Sequence, residues 1–149
     1  MKHLFTILLC VVALSGCFKF EPAKEAVFKP GEDPLADAIF RKLLDQAEIG
    51  YTIREDGFYI SEKSNLEKMK SLSREAYSQI NKTSEVQLSG ECARHKISEI
   101  LIGVTFVTYE KSGELYIRST SSAFDENNIM GKVVATQREC DEAFNKANH

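Results

Sequence analysis

Apolar and polar positions alternate along the chain in segments of distinct period. From Leu35 the residues Ala38, Ile39, Leu43 and Ala47 recur at helical spacing, with Asp37, Arg41 and Asp45 opposite them. Asp33-Pro34 suits the start of this helix, because aspartate accepts from free amides and proline needs no donor in the first turn. Gly50 suits its end. Tyr51–Ser61 reads as a hairpin around Asp56-Gly57. A two-residue loop there pairs Glu55 with Phe58, Ile53 with Ile60 and Thr52 with Ser61, placing Tyr51, Ile53, Phe58 and Ile60 on one face. Ser64-Asn65-Leu66-Glu67 is a capping-box pattern opening a second helix with Leu66, Met69, Leu72 or Ser73, Ala76 and Ile80 on its inner stripe.

The second half is led by Ser98–Tyr109, which predicts a central strand with both faces apolar, either covered on each side or meeting a partner with its second face. Asn81–Gly90 is polar and turn-prone. A turn at Lys111-Ser112-Gly113 leads to a strand through Leu115-Tyr116-Ile117-Arg118, with loops of two or three residues fitting equally well. Ser119–Gly131 reads as loop, Lys132–Ala135 as a last strand, and Thr136-Gln137-Arg138-Glu139 as a cap for a short helix carrying Cys140, Ala143, Phe144 and Ala147. The expected class is α+β, a small mostly antiparallel sheet in the order α-β-β-α-β-β-(β)-α with one disulfide. No internal repeat is visible in the letters.

The amino-terminal end has a different character. Met1-Lys2-His3 is positively charged, and Leu4–Leu14 is an apolar run broken only by Thr6, too short to span a bilayer. It ends in Leu14-Ser15-Gly16-Cys17, which resembles the lipobox of bacterial lipoproteins at all four positions. The resemblance implies lipid on the Cys17 thiol, removal of residues 1–16 and stable membrane attachment, since two or three acyl chains anchor where one does not. Phe18 stands where aspartate usually signals inner-membrane retention. In a cell with two membranes this favours the periplasmic side of the outer one. Residues 17–33, rich in proline and charge, then read as lipidated terminus and tether, and 34–149 as a single domain.

Of four cysteines, Cys10 leaves with the signal and Cys17 takes the lipid. Cys92 and Cys140 remain in a compartment where disulfides persist, closing a loop of about 49 residues. A metal site using both with His95 lacks a fourth ligand. Removal of residues 1–16 takes away one base, Lys2, and leaves 18 basic against 22 acidic side chains, a balance of −4. That argues against nucleic acid and against electrostatic adhesion to anionic lipid. Hydrolase, phosphate-loop, dinucleotide and zinc-protease motifs do not occur. Asp125-Glu126-Asn127 lacks the spacing of a calcium loop.

Leu35–Ile80, helix, hairpin, helix, resembles the ring-building modules of type III secretion inner-ring lipoproteins, which are also lipidated and assemble side by side. The chain departs from them in showing one such module and no terminal membrane helix. The expected function is a non-catalytic envelope lipoprotein without cofactor, binding an envelope protein or itself, with Val107, Tyr109, Tyr116 and Arg118 as candidate contact residues. The alternative is an anchored enzyme using His95.

Overall fold

The computed structural model describes residues 24–147, so the expected signal sequence, Cys17 and the first part of the expected tether lie outside the described residues. The chain runs β1 (Glu25–Phe28), α1 (Pro34–Gln46), β2 (Thr52–Ile53), β3 (Tyr59–Glu62), a 3-10 turn (Lys63–Asn65) and α2 (Leu66–Gln79). It continues through β4 (Thr83–Leu88), α3 (Glu91–Ile100), β5 (Val107–Lys111), β6 (Glu114–Thr120), α4 (Ser121–Glu126) and α5 (Ile129–Ala147). The class is α+β with antiparallel pairing, and Cys92 is bonded to Cys140. The strands divide between two sheets, β1-β3-β2 and β4-β6-β5.

These two halves are the same module built twice. Each runs β-α-β-β-α, the closing helix of the second being preceded by the short α4, and each places its third strand between the first two. The central strands share a pattern of buried residue, outward residue, buried serine: Tyr59-Ile60-Ser61 and Ile117-Arg118-Ser119. The Ser61 hydroxyl donates to the Gly50 carbonyl at 2.7 Å, and the Ser119 hydroxyl to the Thr105 carbonyl at 2.6 Å. Gly50 and Thr105 each stand two residues before the second strand of their module. The first helices, with the residue that closes α3, bury matching triplets at intervals of four, Ala36-Phe40-Leu44 and Ala93-Ile97-Leu101. One core draws its buried residues from Leu35 to Ala76 and the other from Leu88 to Val133. The absence of a visible repeat is thereby corrected, because the repetition lies in topology and hydrogen bonding and the side chains have diverged.

Several expected elements differ. In the first hairpin Thr52 pairs with Ile60 and Ile53 with Tyr59, one step from the expected register. The loop holds three residues, Glu55-Asp56-Gly57. The Gly57 amide donates to the Arg54 carbonyl at 2.9 Å and Gly57 adopts φ +79, a turn closed by a left-handed glycine. The single step reverses the faces, so Tyr59 and Ser61 point inward and Phe58 and Ile60 outward. Ser98–Tyr109 is no central strand: α3 occupies its beginning, and Ile102 is 81% exposed. The helical spacing of Ala93, Ile97 and Leu101 overrides the local alternation, and β6 takes the central place.

Asn81–Gly90 contains β4, an edge strand whose polar Glu85 and Gln87 face solvent while Leu88 is buried. Lys132–Ala135 is helical within α5, whose inner positions Ile129, Val133 and Thr136 keep helical spacing; the Thr136 hydroxyl donates back to Lys132 at 2.9 Å instead of capping a helix. The disulfide therefore joins α3 to α5 rather than a helix to a strand. Asp33 does cap α1, accepting from Leu35 at 2.9 Å and Ala36 at 3.2 Å, whereas Asn65 makes no side-chain cap for α2. Part of the expected tether is β1, held in the sheet by pairing with β3 and by the inward side chain of Ala26.

Candidate functional site

A two-residue turn, Ser112-Gly113, settles the second hairpin by pairing Lys111 with Glu114. Both turn residues have positive φ, +56 and +82, the geometry that suits the twist of a tight hairpin. In this register Val107, Tyr109 and Lys111 share the outward face of sheet β4-β6-β5 with Tyr116 and Arg118, and β4 adds Glu85 and Gln87. Two cross-strand rows result, Glu85–Arg118–Val107 and Gln87–Tyr116–Tyr109. The structure thus brings all four sequence-derived contact residues together.

The rings of Tyr109 and Tyr116 lie 5.6 Å apart and 20° from parallel, and the Lys111 ammonium stands 5.9 Å from the centre of the Tyr116 ring. The Tyr109 hydroxyl donates to the Glu85 carboxylate. That bond to an anion holds the phenol above its ordinary pKa, with desolvation adding to it. Arg118 reaches the other way. Its Nη1 donates to Asp33 at 3.0 Å and its Nε to the Thr83 hydroxyl at 3.5 Å, while Val107 packs on the first core. The outward face is therefore half closed by the first module and half open around the tyrosines.

A cleft of about 340 Å³ opens at this border, lined by Pro34, Glu85, Val107, Thr108, Tyr109 and Arg118. A second, more polar cleft of about 250 Å³ lies between the modules, with Lys42 and Gln46 facing Thr105 and Asn127. His95 is exposed on α3 and lines neither. Asp125 and Glu126 belong to α4 rather than to a loop.

No family model, curated protein or solved structure matches this chain. The site must be read from its own chemistry. A stacked aromatic pair flanked by a carboxylate and two cations supplies flat apolar area at low entropic cost together with directional polar contacts, which is the make-up of a binding surface. Reading from the letters missed Asp33 and Glu85 as members. Asp33 was legible only as a helix cap, and Glu85 sat in a segment without strand alternation.

Asp33 has two separable tasks. Burial by itself raises its carboxyl pKa, but the amides of Ala36 and Leu35 and the Arg118 guanidinium outweigh this and hold it below the ordinary value. A depressed folded-state pKa contributes stability that is present above the unfolded carboxyl value and disappears as pH falls through the folded one. Asparagine caps a helix as well as aspartate but cannot pair with arginine. Asp33→Asn is therefore expected to lose about 1 kcal/mol or less at neutral pH, and to flatten the fall in stability on acidification. Urea titrations of both proteins across that range check this; parallel curves would show the ion pair to be idle.

Proposed function

We propose that the chain is an envelope lipoprotein, cut before Cys17 and anchored through lipid on that residue. Its two-module domain is a non-catalytic binding or assembly unit. The observation that carries the binding role is the gathering of Val107, Tyr109, Tyr116 and Arg118 on one sheet face beside a cleft. The lipobox carries the anchor, and the Cys92–Cys140 bond accords with an oxidising compartment. Among the described residues no helix is long and apolar enough to cross a membrane.

The duplicated module favours assembly among the possible roles. The likeness to ring-building modules is weakened in the letters by a missing second module, and a second half with the same order of elements, apart from the added short α4, supports the reading. An enzyme working through His95 has less support, since that imidazole stands on an exposed helix face away from either cleft.

Affinity capture from native envelopes tests the surface. Tyr109→Ala with Tyr116→Ala, in a protein shown to be folded, is expected to weaken recovery of the wild-type partner tenfold or more, since buried aromatics at interfaces are worth about 2 kcal/mol each. Unchanged recovery removes this face from the proposal. Mass spectrometry of the native amino terminus tests the anchor separately.

A further inference from the structure

The repeat leaves one sheet face without the cover its counterpart has. On sheet β4-β6-β5 the first module closes part of the outward face through Asp33, Arg118 and Val107. The corresponding face of sheet β1-β3-β2 carries Val27 and Ile60 in one row and Phe58 in the next. Val27 is 53% exposed. Lys29 and Arg54, each one residue beyond a neighbouring strand, flank Phe58, their charged groups 5.7 and 5.8 Å from the centre of its ring. Glu25 and Glu62 face each other at the opposite end.

We propose that this face, with Val27, Phe58 and Ile60 at its centre, rests on the bilayer that anchors the chain. The inference depends on lipidation of Cys17. That residue precedes Glu25 by eight positions, so at about 3.4 Å per extended residue the start of β1 lies within about 27 Å of the lipid. β1 is itself an edge of the uncovered sheet, which brings the first module to the membrane ahead of the second.

Charge on this face is mixed, so attraction to anionic lipid is not the driving force. Lys29 pairs with Glu32 at 3.6 Å and Arg54 with Asp56 at 2.7 Å. Both pairs are exposed at the surface, where such contacts are weak and yield to other partners. Lysine and arginine stems lie along apolar surface while their heads remain among phosphates and water. Three apolar side chains are too few to recruit a free domain. A short tether removes that requirement, because it turns docking into an intramolecular step at high effective concentration.

The chain contains no tryptophan, so a single one reports its own surroundings. The lipidated full-length mature protein is reconstituted in phosphatidylcholine vesicles carrying brominated acyl chains. Phe58→Trp is expected to be quenched, and Met130→Trp, on exposed α5, to emit as in water. Adding Val27→Glu to Phe58→Trp should relieve the quenching while the protein still floats with the vesicles. Flotation with Phe58→Trp unquenched, or with both reporters quenched alike, overturns the proposed face and leaves the anchor standing. Failure to float overturns the anchor as well.

Discussion

Replacing both Cys92 and Cys140 with alanine should cost about 4 kcal/mol, the largest loss expected from any change outside the two cores. The bond spans 48 positions and connects α3 to α5 across the second module. In the chain-entropy account a closed loop of this length removes much of the freedom of the unfolded chain. Local structure points the same way. α3 has ten residues, too short to persist by itself, and among its described side chains Ala93 and Ile97 are buried. Residues 141–147 of α5 are exposed throughout, so the disulfide at Cys140 lies at the margin of the packed part of that helix. For a module of this size the loss corresponds to a fall in Tm on the order of 15–30 °C. Calorimetry of the alanine pair against the oxidised protein reads it directly. A difference below about 1 kcal/mol would mean that packing between α3 and α5 holds them without the covalent tie.

The first half of the fold was largely legible and the second was not, for a physical reason. α1 and α2 each bury one stripe and expose the other, so a period near 3.6 survives in the letters at Leu35, Ile39 and Leu43 and again at Met69, Leu72 and Ala76. In the second half Ile97, Ile100, Leu101, Ile102, Val104 and Phe106 crowd together. Such a run fits a buried strand and a helix end equally well over so short a distance. Burial of Ala93, a small residue with little weight in any apolar pattern, decides for the helix. β4 was hidden for the opposite reason. As an edge strand it presents Glu85 and Gln87 to water, and its sequence resembles a loop.

Four residues of the candidate face were legible, and their setting was not. Alternation along one apolar run points to Val107 and Tyr109, whereas Tyr116 and Arg118 stand out only as residue types enriched at contact surfaces, because the letters leave the register of their strand open. Their environment depends on contacts 85 residues apart, such as Arg118 with Asp33, which no local pattern encodes. The expected two-residue loop at Asp56-Gly57 failed for a related reason. The turn type follows from whether Tyr59 or Phe58 fills the core, and Tyr59 wins because its hydroxyl finds partners there. It donates to Asp37 and accepts from Arg41 at 3.0 Å, so the ring is buried without stranding a polar atom. Burial foremost, and the Asp37 carboxylate next, push its pKa far above that of a free phenol, so it stays protonated wherever the protein is folded near neutrality.

Two cores in one chain imply two separable responses to damage, and Phe40→Ala is the sharpest probe of that. Phe40 is fully buried, with its ring 5.9 Å from Phe28 and 5.1 Å edge-on to Tyr59, so truncation leaves a cavity bounded by α1, β3 and the end of β1. Such changes cost about 3–5 kcal/mol, comparable with the whole stability of a small unit. If the modules unfold separately, amides of residues 25–79 lose protection from hydrogen exchange while those of 83–133 retain theirs under the disulfide. Ile117→Ala, at the fully buried centre of the second core, should give the converse pattern. The contacts that cross between modules, Asp33 with Arg118 and Val107 against the first core, are few beside the packing inside each one. Loss of protection across both halves in either variant would show that those few contacts suffice to couple the cores into one cooperative unit.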